Sequence, residues 1–324
     1  MNISKTCFIF CLLSQFLGNT AASLAVTKLD FDTGQTLTNQ VIKSGKIKVK
    51  VSYQPRNLNE RVDDSSDINN VSYKIFYNEQ LYQENSGYSA FGAGYVELRD
   101  LDNNGIDEII VSTYSGGAHC CTSLVIYTWQ KDKFIREETG FLDGSGGSFE
   151  DLDGDNNYEF VTVDNAFLYA FSSYAASFPP SRIYTFQQGK LADVTRKYPQ
   201  KLRKTLAEML KAWQLAKKEK AEVNGILAGY VAQKILLGEY EEAWQFLLAN
   251  YDKNSDWGLD INGESTVIGK YPDFPTALRA FLLKNGYLSE SANNKKIANA
   301  VNNYVKKSQL SAVAILFPRY NPLE

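Results

Sequence analysis

Two nine-residue stretches in the same register decide how this chain reads: DLDNNGIDE at Asp100–Glu108 and DLDGDNNYE at Asp151–Glu159. Positions 1, 3, 5 and 9 carry oxygen-bearing side chains in both. They are Asp100, Asp102, Asn104 and Glu108 in the first loop, and Asp151, Asp153, Asp155 and Glu159 in the second. A hard cation such as Ca²⁺ takes six to eight oxygens at roughly 2.3–2.6 Å, and a tight loop with acids at alternate positions turns several carboxylates onto one point. A backbone carbonyl at position 7, from Ile106 or Asn157, would complete such a ring. Gly105 at position 6 permits a positive φ, and Asn156 tolerates it better than most residues. Asp, Asn and Gly are also ordinary turn residues, so a pair of polar bends is the competing reading. Carboxylates packed this closely repel one another unless a cation sits between them, which favours two Ca²⁺ sites. Mg²⁺ fits less well, because it demands near-ideal octahedral geometry and keeps its waters.

Working outward, EIIVSTY (Glu108–Tyr114) and FVTV (Phe160–Val163) follow the loops directly and are β-branched or aromatic runs. An EF-hand would need Glu at position 12 and flanking helices, whereas Val111 and Thr162 stand there. Further strand-like runs are Lys46–Tyr53, Val71–Tyr77 and Ser123–Trp129, separated by Gly, Asn, Asp and Ser clusters at 57–70, 116–117 and 143–147. Residues 26–189 are therefore expected to be β-rich.

This strand–loop–strand pattern resembles the FG-GAP repeat of integrin α-chain propellers and the related VCBS repeats of secreted bacterial proteins. Phe91-Gly92 precedes the first loop, Ile109-Ile110-Val111 follows it, and Gly117-Ala118 stands where that family has Gly-Ala-Pro. The second repeat has Gly144–Gly147 in place of the Phe-Gly pair. The resemblance spans roughly residues 88–175. It implies one calcium site made by Asp100, Asp102, Asn104, the Ile106 carbonyl and Glu108. The other would use Asp151, Asp153, Asp155, the Asn157 carbonyl and Glu159. By carboxylate count, three against four, the second loop is expected to bind more tightly.

The loops begin 51 residues apart, near a propeller-blade period of about 40–50. The 164 residues of the β-rich part hold about three such units, short of the roughly 4–8 blades of a closed propeller. The expected fold is α+β: two to three blade-like antiparallel sheets in an incomplete propeller, with an all-helical region over 190–324 covering an open edge.

In that second region apolar residues fall at helical spacing. The stripes are Leu202, Leu206, Met209, Leu210 and Trp213; Leu227, Tyr230, Val231 and Ile235; and Trp244, Leu247, Leu248 and Tyr251. Phe274, Leu278, Phe281 and Leu282 form another, ended by Asn285-Gly286, and Ile297, Val301, Tyr304 and Val305 a last one. Ala228–Asp252 resembles one tetratricopeptide-type hairpin, but a solenoid needs at least three repeats, so it reads as a generic helical hairpin. DKNSDWGLD, Asp252–Asp260, has Trp257 where a calcium loop would want Gly and reads as a polar connection.

The amino terminus reads as a signal peptide over residues 1–25. Lys5 supplies the positive start, Cys7–Leu17 a short apolar run, and Ser23-Leu24-Ala25 a cleavage site. That run is too short for a membrane anchor, so a secreted or periplasmic chain without a transmembrane segment is expected. Residues 26–189 carry 13 Lys+Arg against 23 Asp+Glu, and residues 190–324 carry 20 against 14. No uniformly basic face follows, which argues against nucleic acid as a partner.

His119-Cys120-Cys121 holds the sole histidine and the cysteines that remain after cleavage. A vicinal disulfide leads in an oxidising compartment. Reduced buried thiols, and a soft-metal site using His119 and Cys121 with unidentified partners, remain open. No nucleophile-elbow or zinc-protease motif is present. The reading is thus an exported calcium-binding protein acting as a non-enzymatic binding or structural module, toward a protein or glycan. The alternative is an envelope-associated hydrolase, or a redox or soft-metal protein, working through His119-Cys120-Cys121.

Overall fold

A computed structural model describes residues 27–56, 68–143, 146–262 and 266–289. The expected signal peptide, the stripe at Ile297–Val305 and most of the polar stretch at 57–70 lie outside these residues.

Three antiparallel meanders follow one another along the chain. The first joins β2 (Leu37–Ser44), β3 (Ile47–Tyr53), β4 (Val71–Tyr77) and β5 (Gln80–Gly87) in sequence order. The second joins β6 (Gly94–Arg99), β7 (Glu108–Tyr114), β8 (Cys120–Gln130) and β9 (Lys133–Asp143), with the short β1 (Lys28–Asp30) added beside β6. The third joins β10 (Ser148–Glu150), β11 (Glu159–Val163), β12 (Ser181–Gln187) and β13 (Lys190–Asp193). They do not close into a propeller. Each acidic loop connects the first and second strands of its own meander, β6 to β7 and β10 to β11.

Alternation explains how the sheets stack. In β3, Ile47, Val49, Val51 and Tyr53 are buried while the intervening residues are only partly so, the mark of a strand with one core face. In β7 the whole run Glu108–Ser112 is buried, because this strand has a core on each side. Ile109 and Val111 join Val96 and Tyr127 against Val49, Val51 and Ile75 of the first sheet. Ile110, between them in sequence, points the other way and meets Leu124, Ile126, Phe160 and Phe186. Burying each such side chain contributes roughly 1.5–3 kcal/mol. The Tyr73 and Tyr127 hydroxyls meet at 2.9 Å across the first interface, which satisfies two buried polar groups.

After the third sheet come helices α1 (Pro199–Glu219), α2 (Asn224–Leu236), α3 (Tyr240–Asn250) and α4 (Phe274–Lys284), each beneath an expected apolar stripe. Helix α4 starts as its sequence dictates: Asp273 caps it by accepting from the Thr276 N–H at 2.9 Å, and Pro275 sits in the first turn. Two expectations are corrected here. The region is not all helix, since β14 (Asp260–Asn262) and β15 (Val267–Lys270) pair between α3 and α4. Nor do the described helices serve only to cover an edge. They pack on the apolar face of the third sheet, where Ile183 of the inner strand β12 shares a core with Leu202, Leu227, Val231, Trp244 and Leu278. A face offers contiguous apolar area to bury, whereas an edge offers mainly backbone groups.

Helix α2 is buried along its whole length. Gly225 and Gly229, one turn apart, let the 172–178 segment lie directly on it: a Cβ on Gly229 would sit 1.7 Å from the Phe178 carbonyl oxygen. Buried Gln233 ties the layers together, accepting from the Ser181 N–H at 2.9 Å and donating to the Leu202 carbonyl at 2.9 Å.

Candidate metal centre

Both loops fold into the same shape. Positive φ occurs at positions 4 and 6 of each: Asn103 (53°) and Gly105 (83°) in the first, Gly154 (81°) and Asn156 (64°) in the second. Asn and Gly have exchanged places, and both residue types accept the left-handed region. In the first loop the Asp100 carboxylate accepts from the N–H groups of Asn104 (3.1 Å) and Gly105 (2.8 Å). In the second, Asp151 accepts from Gly154 (2.8 Å) and Asn156 (3.2 Å). At position 5 the Asn104 and Asp155 side chains accept from the N–H two residues on, Ile106 and Asn157, both at 2.8 Å.

The loops bring carboxylates to common centres. One oxygen each from Asp100, Asp102 and Glu108 lie within 4.8 Å of one another, and so do oxygens of Asp151, Asp153 and Asp155. Asp102 Oδ1 is buried with no hydrogen-bond partner. A buried carboxylate oxygen without a donor is costly, and a cation at this centre would satisfy it. Burial, together with the neighbouring Asp100 charge, raises the Asp102 carboxyl above its ordinary range. Burial likewise pushes the Glu108 carboxyl up to about 7, against the lowering effect of its hydrogen bonds.

The two position-9 glutamates differ from each other. Glu108 belongs to its carboxylate group yet is fully buried and also structural: it accepts from the Leu101 N–H (2.8 Å) and from the Thr128 hydroxyl (2.6 Å). Glu159 lies outside the second group. It accepts from the Leu152 N–H at 3.2 Å and is engaged by the Tyr198 hydroxyl at the start of α1. Three carboxylates therefore converge in each loop, while Glu159 stays outside its group, its carboxyl raised by burial and by Asp153 and Asp155 close by. Thr128 and Tyr198 were not legible as partners of these loops. The repeated Asp-Leu-Asp was the available hint, since the Leu N–H is what the distant Glu holds.

The loops also touch. The Asn103 amide donates to the Asp155 carbonyl oxygen (3.4 Å), and the Tyr158 N–H donates to the Leu101 carbonyl (2.9 Å).

Cys120 and Cys121 are disulfide-bonded to each other across a cis peptide. The His119 ring is exposed and stacks on Tyr174, with centroids 4.1 Å apart. Among the described residues, the two acidic groups are the only clusters of three or more carboxylate, His or Cys ligands.

Fold and site together define an α+β protein of three stacked antiparallel meanders, with paired acidic loops on adjacent sheets and a helical part laid on the last. Residues 189–286 match the family described as the sll0997 C-terminal domain. The chain is 34% identical over 288 residues to the probable thylakoid lumen protein sll0997 of Synechocystis sp., a match covering 82% of this chain and 81% of that protein, and it belongs to that protein's family. It is also 36% identical over 191 residues to the uncharacterized protein y4bJ of Sinorhizobium fredii, covering 56% of this chain and 30% of that longer protein. No solved structure matches the chain. The family match falls on the helical part, outside the acidic loops. Among the described residues no helix is long and apolar enough to cross a membrane.

Proposed function

We propose that this is an exported calcium-binding protein, a non-enzymatic binding or structural module in which two Ca²⁺ ions fasten neighbouring sheets. The observation that carries the reading is the buried, unpartnered Oδ1 of Asp102 inside a three-carboxylate group, repeated in backbone shape by the second loop. The first ion would take Asp100, Asp102, Asn104, the Ile106 carbonyl and Glu108. The second would take Asp151, Asp153, Asp155 and the Asn157 carbonyl, with Glu159 holding the loop from behind. Export agrees with the expected signal peptide and with the name of the Synechocystis relative, a probable thylakoid lumen protein.

Thermal melting of the processed protein in Ca²⁺ and in EGTA tests this. A ligand that binds only the folded state stabilises it by about 2.7 kcal/mol at a hundred times Kd, so the melting midpoint should rise with Ca²⁺ and fall back on chelation. An identical midpoint in both, with no heat of Ca²⁺ binding, would sink the reading.

A further inference from the structure

We propose that the cleft between the 166–171 segment and helix α4 is a binding site for a neutral saccharide. It has a volume of about 630 Å³ and is lined by the aromatic residues Tyr169, Trp257, Tyr271 and Phe281 among others, with Asp260 and Lys284 as its charged residues. That volume lies in the range of ligand pockets, which pair apolar and aromatic walls with a few placed polar groups.

The arrangement of Tyr169 points to use. A bulky residue at φ 59° is an outlier that costs of order 1–3 kcal/mol and persists only where its surroundings hold it. Here both backbone groups are held: the Tyr169 N–H donates to Ser177 Oγ (3.2 Å), and its carbonyl accepts from Trp257 Nε1 (2.8 Å). The result of this fixing is a ring left 48% exposed beside a Trp257 left 41% exposed. Burial does not explain two large rings presented to water in this way. The walls are also fixed relative to each other, since a Cβ on Gly258 would fall 2.1 Å from the Ala170 carbonyl oxygen. The Tyr174 and His119 rings lie 5.4 and 6.1 Å from the Tyr169 ring.

The chemistry selects the ligand class. A pyranose has a face of C–H groups that packs on aromatic rings, and a rim of hydroxyls that needs both acceptors and donors. Asp260 supplies an acceptor and Lys284 a donor, and their charges cancel, so the cleft has no net charge with which to select an ion. An exposed pair of this kind suits hydroxyls better than a charged headgroup.

The test is calorimetric titration of the processed protein with cellohexaose, maltohexaose and chitohexaose, beside a proline-rich peptide, which is the other ligand that aromatic grooves take. Two variants accompany it. Tyr169→Asn keeps a residue that adopts the left-handed backbone but removes the ring, and Lys284→Ala removes the donor. We expect at least one oligosaccharide to bind, with affinity about tenfold weaker in Tyr169→Asn and a melting midpoint close to that of the parent protein. Lys284→Ala, on an exposed position, repeats the loss should Tyr169→Asn fold poorly. Binding by the peptide alone, by none of the probes, or equally well by both folded variants overturns the proposal.

Discussion

The side-chain amide of Asn103 reaches the backbone carbonyl of Asp155 at 3.4 Å, so the fourth residue of one acidic loop rests on the fifth residue of the other. With the Tyr158–Leu101 backbone hydrogen bond beside it, ordering either loop restrains its neighbour.

Occupancy of the two loops should therefore be coupled. Asp155→Ala removes a carboxylate only from the second loop, yet it should also weaken Ca²⁺ at the first by about fivefold. Isothermal titration of the variant checks this. A first site with unchanged affinity would show that the contacts between loops transmit nothing.

Asp102→Asn should change sign with calcium. Without the ion, the variant loses a half-buried carboxylate that repels Asp100 and leaves an oxygen unpaired. Its melting midpoint in EGTA should match or exceed that of the parent. In Ca²⁺ the same variant should melt lower than the parent and bind about tenfold more weakly. A midpoint lower than the parent's in both conditions would mean that Asp102 is a structural anchor and not a ligand. Because each loop now gathers three carboxylates, the loop with the buried orphan oxygen should be the tighter of the two, reversing the order expected from composition.

A Cβ added to Gly105 would meet nothing within 4 Å, so only the φ of 83° restricts replacement there. Gly105→Asn, which copies the residue at the equivalent place in the other loop, should cost well under about 1 kcal/mol. Gly105→Val should cost about 1–2 kcal/mol, the penalty of a left-handed L-residue. Gly229→Ala is a different case, since its Cβ would meet the Phe178 carbonyl at 1.7 Å. It should destabilise the docking of α2 far more than Gly105→Val disturbs the loop. Denaturant melts of the three variants would rank them.

Acid should loosen the helical part through Glu239. The Lys234 ammonium, 2.6 Å away, holds the Glu239 carboxyl below its usual value, with Arg203 assisting. A depressed folded pKa gives stability that is complete above the unfolded value near 4.5 and is lost as pH falls through the folded value. Glu239→Gln should lower the midpoint at neutral pH and flatten its decline on acidification. An acid limb as steep as the parent's would place the sensitivity elsewhere.

What the sequence disclosed followed the strength of its patterns. Val71–Tyr77 and Glu108–Tyr114 read as strands because β-branched and aromatic residues fill them, and they are strands over those same residues. The helices read through because Leu202 and Met209, or Leu278 and Leu282, recur one or two turns apart. Strands such as β5, QLYQENSG, gave no signal, because an edge strand with a mostly exposed face needs no apolar alternation. At the candidate site the six converging aspartate and glutamate side chains could be picked from spacing alone. The diversion of Glu159 to Leu152 and Tyr198 could not, because Tyr198 comes 39 residues later and meets it only after the helices settle on the third sheet.

The double-sided burial of β7 makes the middle meander a party wall, with Ile110 in one room and Ile109 and Val111 in the other. Neither side depends on the far one, so the first meander, or the third together with its helices, can peel away at the cost of a single seam. The central layer has no such freedom, and its loss is the loss of everything. Damage to this molecule should consequently travel inward from its ends.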